Sequence, residues 1–186
     1  MNIANQLTVG RVLLVFVFMG VIWNPWLPLE TTLWIALAIF VIASLTDFLD
    51  GYLARKYKLV TNLGKFMDPL ADKMLVTAAM IALVDLSHVL PAGVLPAWIV
   101  VVILLREFAV SGIRLLAANN QVVIAANPLG KWKTTIQMLM IIVYLTPVSH
   151  IVWQYLGLIL AYVALVLTII SGIQYLWQNK QVFKEQ

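Results

Sequence analysis

The chain has 186 residues, of which 63% are hydrophobic and only 11% are charged, and its mean hydropathy is +0.97. A soluble domain of this size carries about twice that charged fraction, so the composition excludes an ordinary soluble protein and predicts a polytopic membrane protein. The net charge of +4 comes from scattered basic residues rather than a basic stripe with interleaved aromatics, which argues against nucleic-acid binding, and the absence of cysteine excludes disulfides and thiolate metal sites.

Apolar runs separated by proline, glycine and asparagine predict six transmembrane helices in a single domain, residues 1–186. The predicted ranges are 5–23, 31–57, 65–86, 97–118, 129–145 and 152–177. Asn24-Pro25 ends the first helix and Pro147 stops the fifth. Pro69 would lie in the opening turn of the third helix, where proline is tolerated. We therefore expect an all-α integral membrane protein.

The distribution of basic residues predicts the orientation of these helices. If the N-terminus is cytoplasmic and six spans follow, all 12 Lys and Arg residues fall on the inner side. The three outer connections then contain none, which is the bias that membrane insertion favours. These inner residues are Arg11, Arg55, Lys56, Lys58, Lys65, Lys73, Arg106, Arg114, Lys131, Lys133, Lys180 and Lys184. Both termini are thus expected in the cytoplasm, in a multi-pass protein of the cell membrane.

Four aspartates lie where the second and third predicted helices approach the inner side. Asp47 and Asp50 are three residues apart and share a helix face, and Asp68 and Asp72 are four apart and share another. The connection between these helices is short, so the two pairs are expected to converge in the cytoplasmic half of the bilayer. A lone Asp is more often a helix cap, and Asp68 before Pro69 fits that simpler interpretation. Capping does not explain the complete set.

Carboxylates at membrane depth are costly unless cations neutralise them. Oxygen ligands without nearby Cys or His favour hard ions, and two divalent ions balance the charge of four aspartates. The sequence therefore predicts a pair of Mg²⁺ or Mn²⁺ ions at Asp47, Asp50, Asp68 and Asp72. Gly51 and Ala54 are small residues beside this cluster, and Arg55 is a bidentate donor suited to phosphate.

The spacing Asp-x2-Asp-Gly-x2-Ala-Arg-x8-Gly-x3-Asp-x3-Asp, complete from Asp47 to Asp72, resembles the signature of the CDP-alcohol phosphotransferase family. That resemblance implies a six-helix membrane enzyme that usually forms homodimers. It implies that Asp47, Asp50 and Asp68 bind metal, and that Asp72 binds the second ion and acts as the base. It also implies that Gly51, Ala54 and Arg55 contact the CDP moiety.

Basic residues further along the chain suggest an anionic acceptor. Arg106 and Arg114 are two turns apart on the fourth helix, and Lys131 and Lys133 begin the fifth at the same membrane level. Together they could grip a phosphate monoester, although either lysine alone could instead anchor its helix to lipid headgroups, and Glu107 could be a structural partner of Arg106. The segments 106–114 and 130–134, and the opening 5–11 with Asn5 and Thr8, resemble those of bacterial phosphatidylglycerophosphate synthases within this family. The resemblance places Asn5 and Thr8 near the nucleotide pocket.

The resemblance, together with the basic residues of the fourth and fifth helices, implies transfer of the phosphatidyl group of CDP-diacylglycerol to sn-glycerol 3-phosphate, with CMP released, by a bacterial membrane enzyme. The same chemistry with inositol phosphate, serine or phosphatidylglycerol as acceptor is the nearest alternative. A divalent-cation transporter is a more distant one, because acidic residues in membrane spans often mark ion pathways.

Overall fold

A computed structural model describes the backbone of residues 3–57, 62–119 and 128–179, and the side chains of residues 9–46, 73–114, 117 and 128–179. Six helices make up nearly all of this part of the chain, and no strand occurs in it. The helices are α1 (Ile3–Ile22), α2 (Leu29–Tyr57), α3 (Asn62–Asp85), α4 (Ala97–Asn119), α5 (Pro128–Leu145) and α6 (Ile151–Gln178). The prediction of six helices is confirmed, and each boundary lies within three residues of the predicted one.

One local prediction was wrong. The third helix begins at Asn62 rather than Lys65, so Pro69 follows seven helical residues instead of lying in the first turn. Proline has no N–H to donate to the carbonyl four residues earlier, which is why the sequence pattern favoured a later start. Asn62, Leu63 and Gly64 nevertheless belong to the helix.

The core of the bundle is built from apolar side chains that every helix contributes. One fully buried residue from each of the first five helices illustrates this arrangement: Phe18, Phe40, Met80, Ile103 and Tyr144. The sixth helix contributes Leu165 and two small residues, Ala161 and Ala164. Small side chains let helix backbones come together.

Large apolar side chains also cover the outside of the bundle. On α6 they follow the helical repeat at intervals of three and four residues: Ile159, Val163, Val166, Ile170, Ile173 and Trp177. A helix that is apolar on its exposed face as well as its buried face is typical of a membrane span. By length and composition, two stretches of the described chain are able to cross a membrane, Leu29–Thr46 and Ile151–Gln178.

Two contacts define one end of the bundle, which we call the Trp23 end. The Nε1–H of Trp23, just after α1, donates to the Asp85 carboxylate at the end of α3 at 2.8 Å. Gln154, in the first turn of α6, donates from Nε2 to the carbonyl of Pro91 between α3 and α4 at 3.1 Å. The ends of α1 and α3 and the start of α6 therefore meet here, as expected if successive helices run up and down. The functional groups described next lie at the opposite end, which we call the Lys133 end.

Candidate functional site

A cavity of about 470 Å³ lies between α3, α4, α5 and α6 at the Lys133 end. Its walls combine apolar and hydroxyl side chains with several charged groups. The charged residues that line it are Lys73, Arg106, Glu107, Arg114, Lys131 and Lys133. All four cations that the sequence predicted for an anionic acceptor therefore line one cavity. Among the described side chains, five cations against one carboxylate leave a positive excess, so this part of the cavity is suited to an anion.

Glu107 connects three of these cations. Its carboxylate accepts a hydrogen bond from Lys133 Nζ and another from Arg106 Nη1 at 3.3 Å, and it lies 3.6 Å from Lys73 Nζ. The Glu107 side chain is 17% exposed and that of Lys133 only 4%. Charges this far from water need such partners, so Glu107 stabilises a basic cluster that would otherwise repel itself. The expectation that Glu107 is a structural partner of Arg106 is confirmed.

Lys73 is fixed between α3 and α4. Its Nζ donates to the carbonyl of Glu107 at 3.2 Å and also to the hydroxyl of Ser111. The same Ser111 hydroxyl donates to the Glu107 carbonyl at 2.6 Å, one turn back along α4. These bonds fasten α3 to α4 beside the cavity.

The two arginines of α4 are bound by α6. Arg106 donates from Nη2 to the Ser171 hydroxyl at 3.0 Å, and Arg114 donates from Nε to the Tyr175 hydroxyl at 3.3 Å. The Arg114 guanidinium also lies over the Tyr175 ring, 5.6 Å from its centroid. Arg106 and Arg114 are eight positions apart on α4, whereas their partners are four positions apart on α6. The arginines are therefore bound by a helix that is distant in sequence.

The two lysines of α5 differ in environment. Lys133 is buried and bonded to Glu107, so the alternative in which it anchors α5 to lipid headgroups is wrong for this residue. Lys131 is exposed at the mouth of the cavity, beside the exposed Trp132. An ammonium has three donors, so Lys133 has capacity for an anion in addition to Glu107.

All of the predicted metal and nucleotide residues lie outside the described side chains. The backbone places Asp47, Asp50, Gly51, Ala54 and Arg55 in α2, Asp68 and Asp72 in α3, and Asn5 and Thr8 in α1. α2 and α3 contact each other, and α1 packs against both. The convergence of the four carboxylates around two ions, and the nucleotide contacts of the other residues, stay predictions.

Sequence reasoning missed Lys73 and Tyr175, which line the cavity, and Ser171, which binds the cavity residue Arg106. Lys73 directly follows Asp72 in the signature, so its position next to the predicted metal residues was a usable signal. Ser171 and Tyr175 lie in a long apolar run with no motif around them. Only the packing of α6 against α4 indicates what they do.

Comparison with known proteins identifies the family. The family model of the CDP-alcohol phosphatidyltransferases matches residues 1–170. The chain belongs to this family. A CDP-diacylglycerol–glycerol-3-phosphate 3-phosphatidyltransferase of Bacillus subtilis is 42% identical to it, over 98% of this chain and 97% of the relative. Relatives of the same name from Haemophilus influenzae and Rickettsia bellii are each 38% identical, over 94% and 98% of this chain and 91% and 97% of the relatives, respectively.

Membership in the CDP-alcohol phosphatidyltransferase family agrees with the signature found between Asp47 and Asp72. The relatives align along nearly their whole length, so the similarity includes α4, α5 and α6 as well as the signature. The basic cavity is therefore part of the region that this chain shares with those transferases.

Proposed function

We propose that this chain transfers the phosphatidyl group of CDP-diacylglycerol to sn-glycerol 3-phosphate and releases CMP. The strongest support for this function is the near full-length similarity to three bacterial transferases named for this reaction. The basic cavity supports the choice of acceptor, because glycerol 3-phosphate is a small phosphate monoester and serine is not. In this reaction the acceptor's 1-hydroxyl oxygen bonds to the phosphorus that carries diacylglycerol, and the bond from that phosphorus to CMP breaks.

In this proposal the acceptor's phosphate is held at the Lys133 end by Arg106, Arg114, Lys131 and Lys133. The guanidinium of arginine offers parallel N–H donors that match two phosphate oxygens, whereas lysine contributes a compact charge. These cations come from α4 and α5, and all of them line the cavity. Because the cavity is partly enclosed by protein, attraction between them and a phosphate is screened less than it would be in water.

The proposed reacting groups follow from the signature on α2 and α3. Asp72 immediately precedes Lys73, which lines the cavity, so the backbone at Asp72 lies beside the proposed acceptor site. We propose that Asp72 accepts the proton of the acceptor's 1-hydroxyl. Contacts with the CDP moiety would come from Gly51, Ala54 and Arg55. Asp47, Asp50, Asp68 and Asp72 form an all-oxygen donor set suited to two Mg²⁺ or Mn²⁺ ions, which when bound would neutralise the diphosphate of the donor.

The proposal includes a topology. All six helices would span the cell membrane with both termini in the cytoplasm, and the protein would form a homodimer like other members of its family. Two observations support the topology: the basic residues that line the cavity lie at the Lys133 end, and the described connections at the Trp23 end contain no Lys or Arg. The acyl chains of the lipid substrate would remain in the bilayer while its headgroup reaches the cavity.

The decisive experiment supplies purified protein with CDP-diacylglycerol and one acceptor at a time. CMP release should depend on glycerol 3-phosphate and should be at least tenfold slower with serine, inositol phosphate or phosphatidylglycerol. Preferential use of another acceptor would replace the proposed substrate while keeping the chemistry. Metal flux into sealed vesicles without CMP release from any acceptor would instead support a divalent-cation transporter and refute the transferase.

A further inference from the structure

The last helix holds both arginines of the cavity through three contacts within five residues. Arg106 is bound to Ser171, Arg114 is bound to Tyr175, and Gly172 lies against the aliphatic part of Arg106. No sequence motif drew attention to α6, which is otherwise mostly apolar. Such polar contacts within an apolar helix need an explanation beyond packing.

The α6 hydroxyl groups are buried and oriented. Ser171 is 1% exposed and Tyr175 is 2% exposed. The Ser171 hydroxyl donates to the carbonyl of Thr168 at 3.2 Å, which leaves its lone pairs to accept from Arg106. A hydroxyl that has already committed its hydrogen is a fixed acceptor, so it restricts the directions in which the guanidinium can point.

Gly172 restricts Arg106 from a second side. A β-carbon at this position would lie 3.1 Å from Cγ and 3.5 Å from Nε of Arg106. The arginine stem therefore lies directly on the α6 backbone, in space that any other residue would fill. With Glu107 bonded to Nη1 and Ser171 to Nη2, Arg106 is held along its stem and at its tip.

Arg114 is held differently. Tyr175 accepts from its Nε–H and supports the guanidinium with its ring. This arrangement leaves the two Nη groups, which carry four of the five guanidinium N–H donors, to other partners. The ring itself is fixed among Val110 and Ile113 of α4, so it is a rigid support.

We infer that Ser171 and Tyr175 are positioning residues that aim Arg106 and Arg114 at the phosphate of the acceptor. The inference rests on the proposed function. Arginine has several rotatable bonds, and ordering a long charged side chain when substrate arrives costs free energy. Contacts that order it beforehand favour binding without touching the substrate. α6 therefore contributes to acceptor affinity although it supplies no charge.

The test measures the steady-state kinetics of Tyr175→Phe, which removes the hydroxyl and keeps the ring, and of Ser171→Ala. Each should raise the KM for glycerol 3-phosphate about three- to tenfold, the effect of losing one hydrogen bond. The kcat and the KM for CDP-diacylglycerol should change less than twofold. Matched controls are Tyr155→Phe, an exposed tyrosine of the same helix, and Ser149→Ala, an exposed serine before it, which should keep wild-type constants.

Gly172→Ala tests the positioning of Arg106 independently of the hydrogen bonds. The added methyl should displace Arg106 and raise the KM for glycerol 3-phosphate, whereas Gly20→Ala, with nothing within 4 Å of the new methyl, should not. Melting temperatures of all variants distinguish a change in KM from unfolding. If Tyr175→Phe does not fold, Ser171→Ala tests the inference. Tyr175→Leu should have a higher KM than Tyr175→Phe because it also removes the ring.

Two outcomes would overturn the inference. Wild-type KM for glycerol 3-phosphate in both Tyr175→Phe and Ser171→Ala would exclude a positioning role, and so would a loss of kcat with unchanged KM. These results leave the proposed function intact, because the wild-type protein still uses glycerol 3-phosphate. Absence of glycerol 3-phosphate-dependent CMP release in the wild-type protein would refute the proposed function itself, and the inference with it.

Discussion

Replacement of Glu107 by glutamine should destabilise the protein, because it removes a carboxylate that three cations share. Lys133 loses the partner of a side chain that is only 4% exposed, and Arg106 and Lys73 lose a negative charge within 4 Å. Removing one partner of a buried ion pair costs about 3–5 kcal/mol. Glu107 is 17% exposed, and the glutamine oxygen still accepts one hydrogen bond, so we expect a cost of about 2 kcal/mol. For a chain of this length that corresponds to a melting temperature lower by about 4–8 °C.

The measurement is thermal unfolding in detergent followed by the fluorescence of the seven tryptophans. Glu30→Gln is the matched control, because Glu30 is an exposed carboxylate in the first turn of α2, and it should shift the melting temperature by less than about 1 °C. The double variant Glu107→Gln with Lys133→Met should recover part of the loss, since it removes the most buried of the three cations. Equal melting temperatures for Glu107→Gln and Glu30→Gln would refute the assignment of Glu107 as the partner that stabilises the cluster.

Three further predictions concern the proposed metal cluster and the helix packing. Excess chelator should abolish CMP release and Mg²⁺ or Mn²⁺ should restore it; full activity in chelator would refute the cluster of aspartates. Asp72→Asn, assayed with saturating metal, should lower kcat at least about a hundredfold, because an amide cannot take a proton, and near-normal turnover would remove Asp72 from that role. Gly157→Ala should melt about 2–12 °C below Gly112→Ala, because its methyl would lie 3.2 Å from Cζ of the buried Tyr144, whereas the other meets nothing within 4 Å. Equal melting temperatures for these two alanine variants would show that α5 and α6 can move apart at little cost.

Helix positions could be predicted from the sequence because the signals are local. Asn24-Pro25 and Pro147 interrupt long apolar runs, and helices usually end at such breaks. The exception at Pro69 is instructive: proline disfavours a helix interior, yet the helix extends several residues before it. Proline propensity is a local preference, and the backbone of α3 does not follow it.

The basic cavity was only partly predictable. The helical repeat places Arg106 and Arg114 on one face of α4, and the positive-inside rule places Lys131 and Lys133 at the same level. The sequence could not decide whether Lys133 meets lipid or protein, because a lysine at a helix end is common in both situations. Its burial against Glu107 decides this, and that contact depends on how α4 and α5 pack.

Composition and the aspartate signature are enough to predict a helical membrane protein of the CDP-alcohol phosphatidyltransferase family, since neither depends on how the helices pack. The contacts of α6 with the arginines are visible only in the folded protein, because Ser171 and Tyr175 lie more than sixty residues from their partners. Apolar periodicity reports which face of a helix is buried, but it carries no information about which neighbour covers that face. Serine and tyrosine acquire their roles here only through the arginines that α4 places against them.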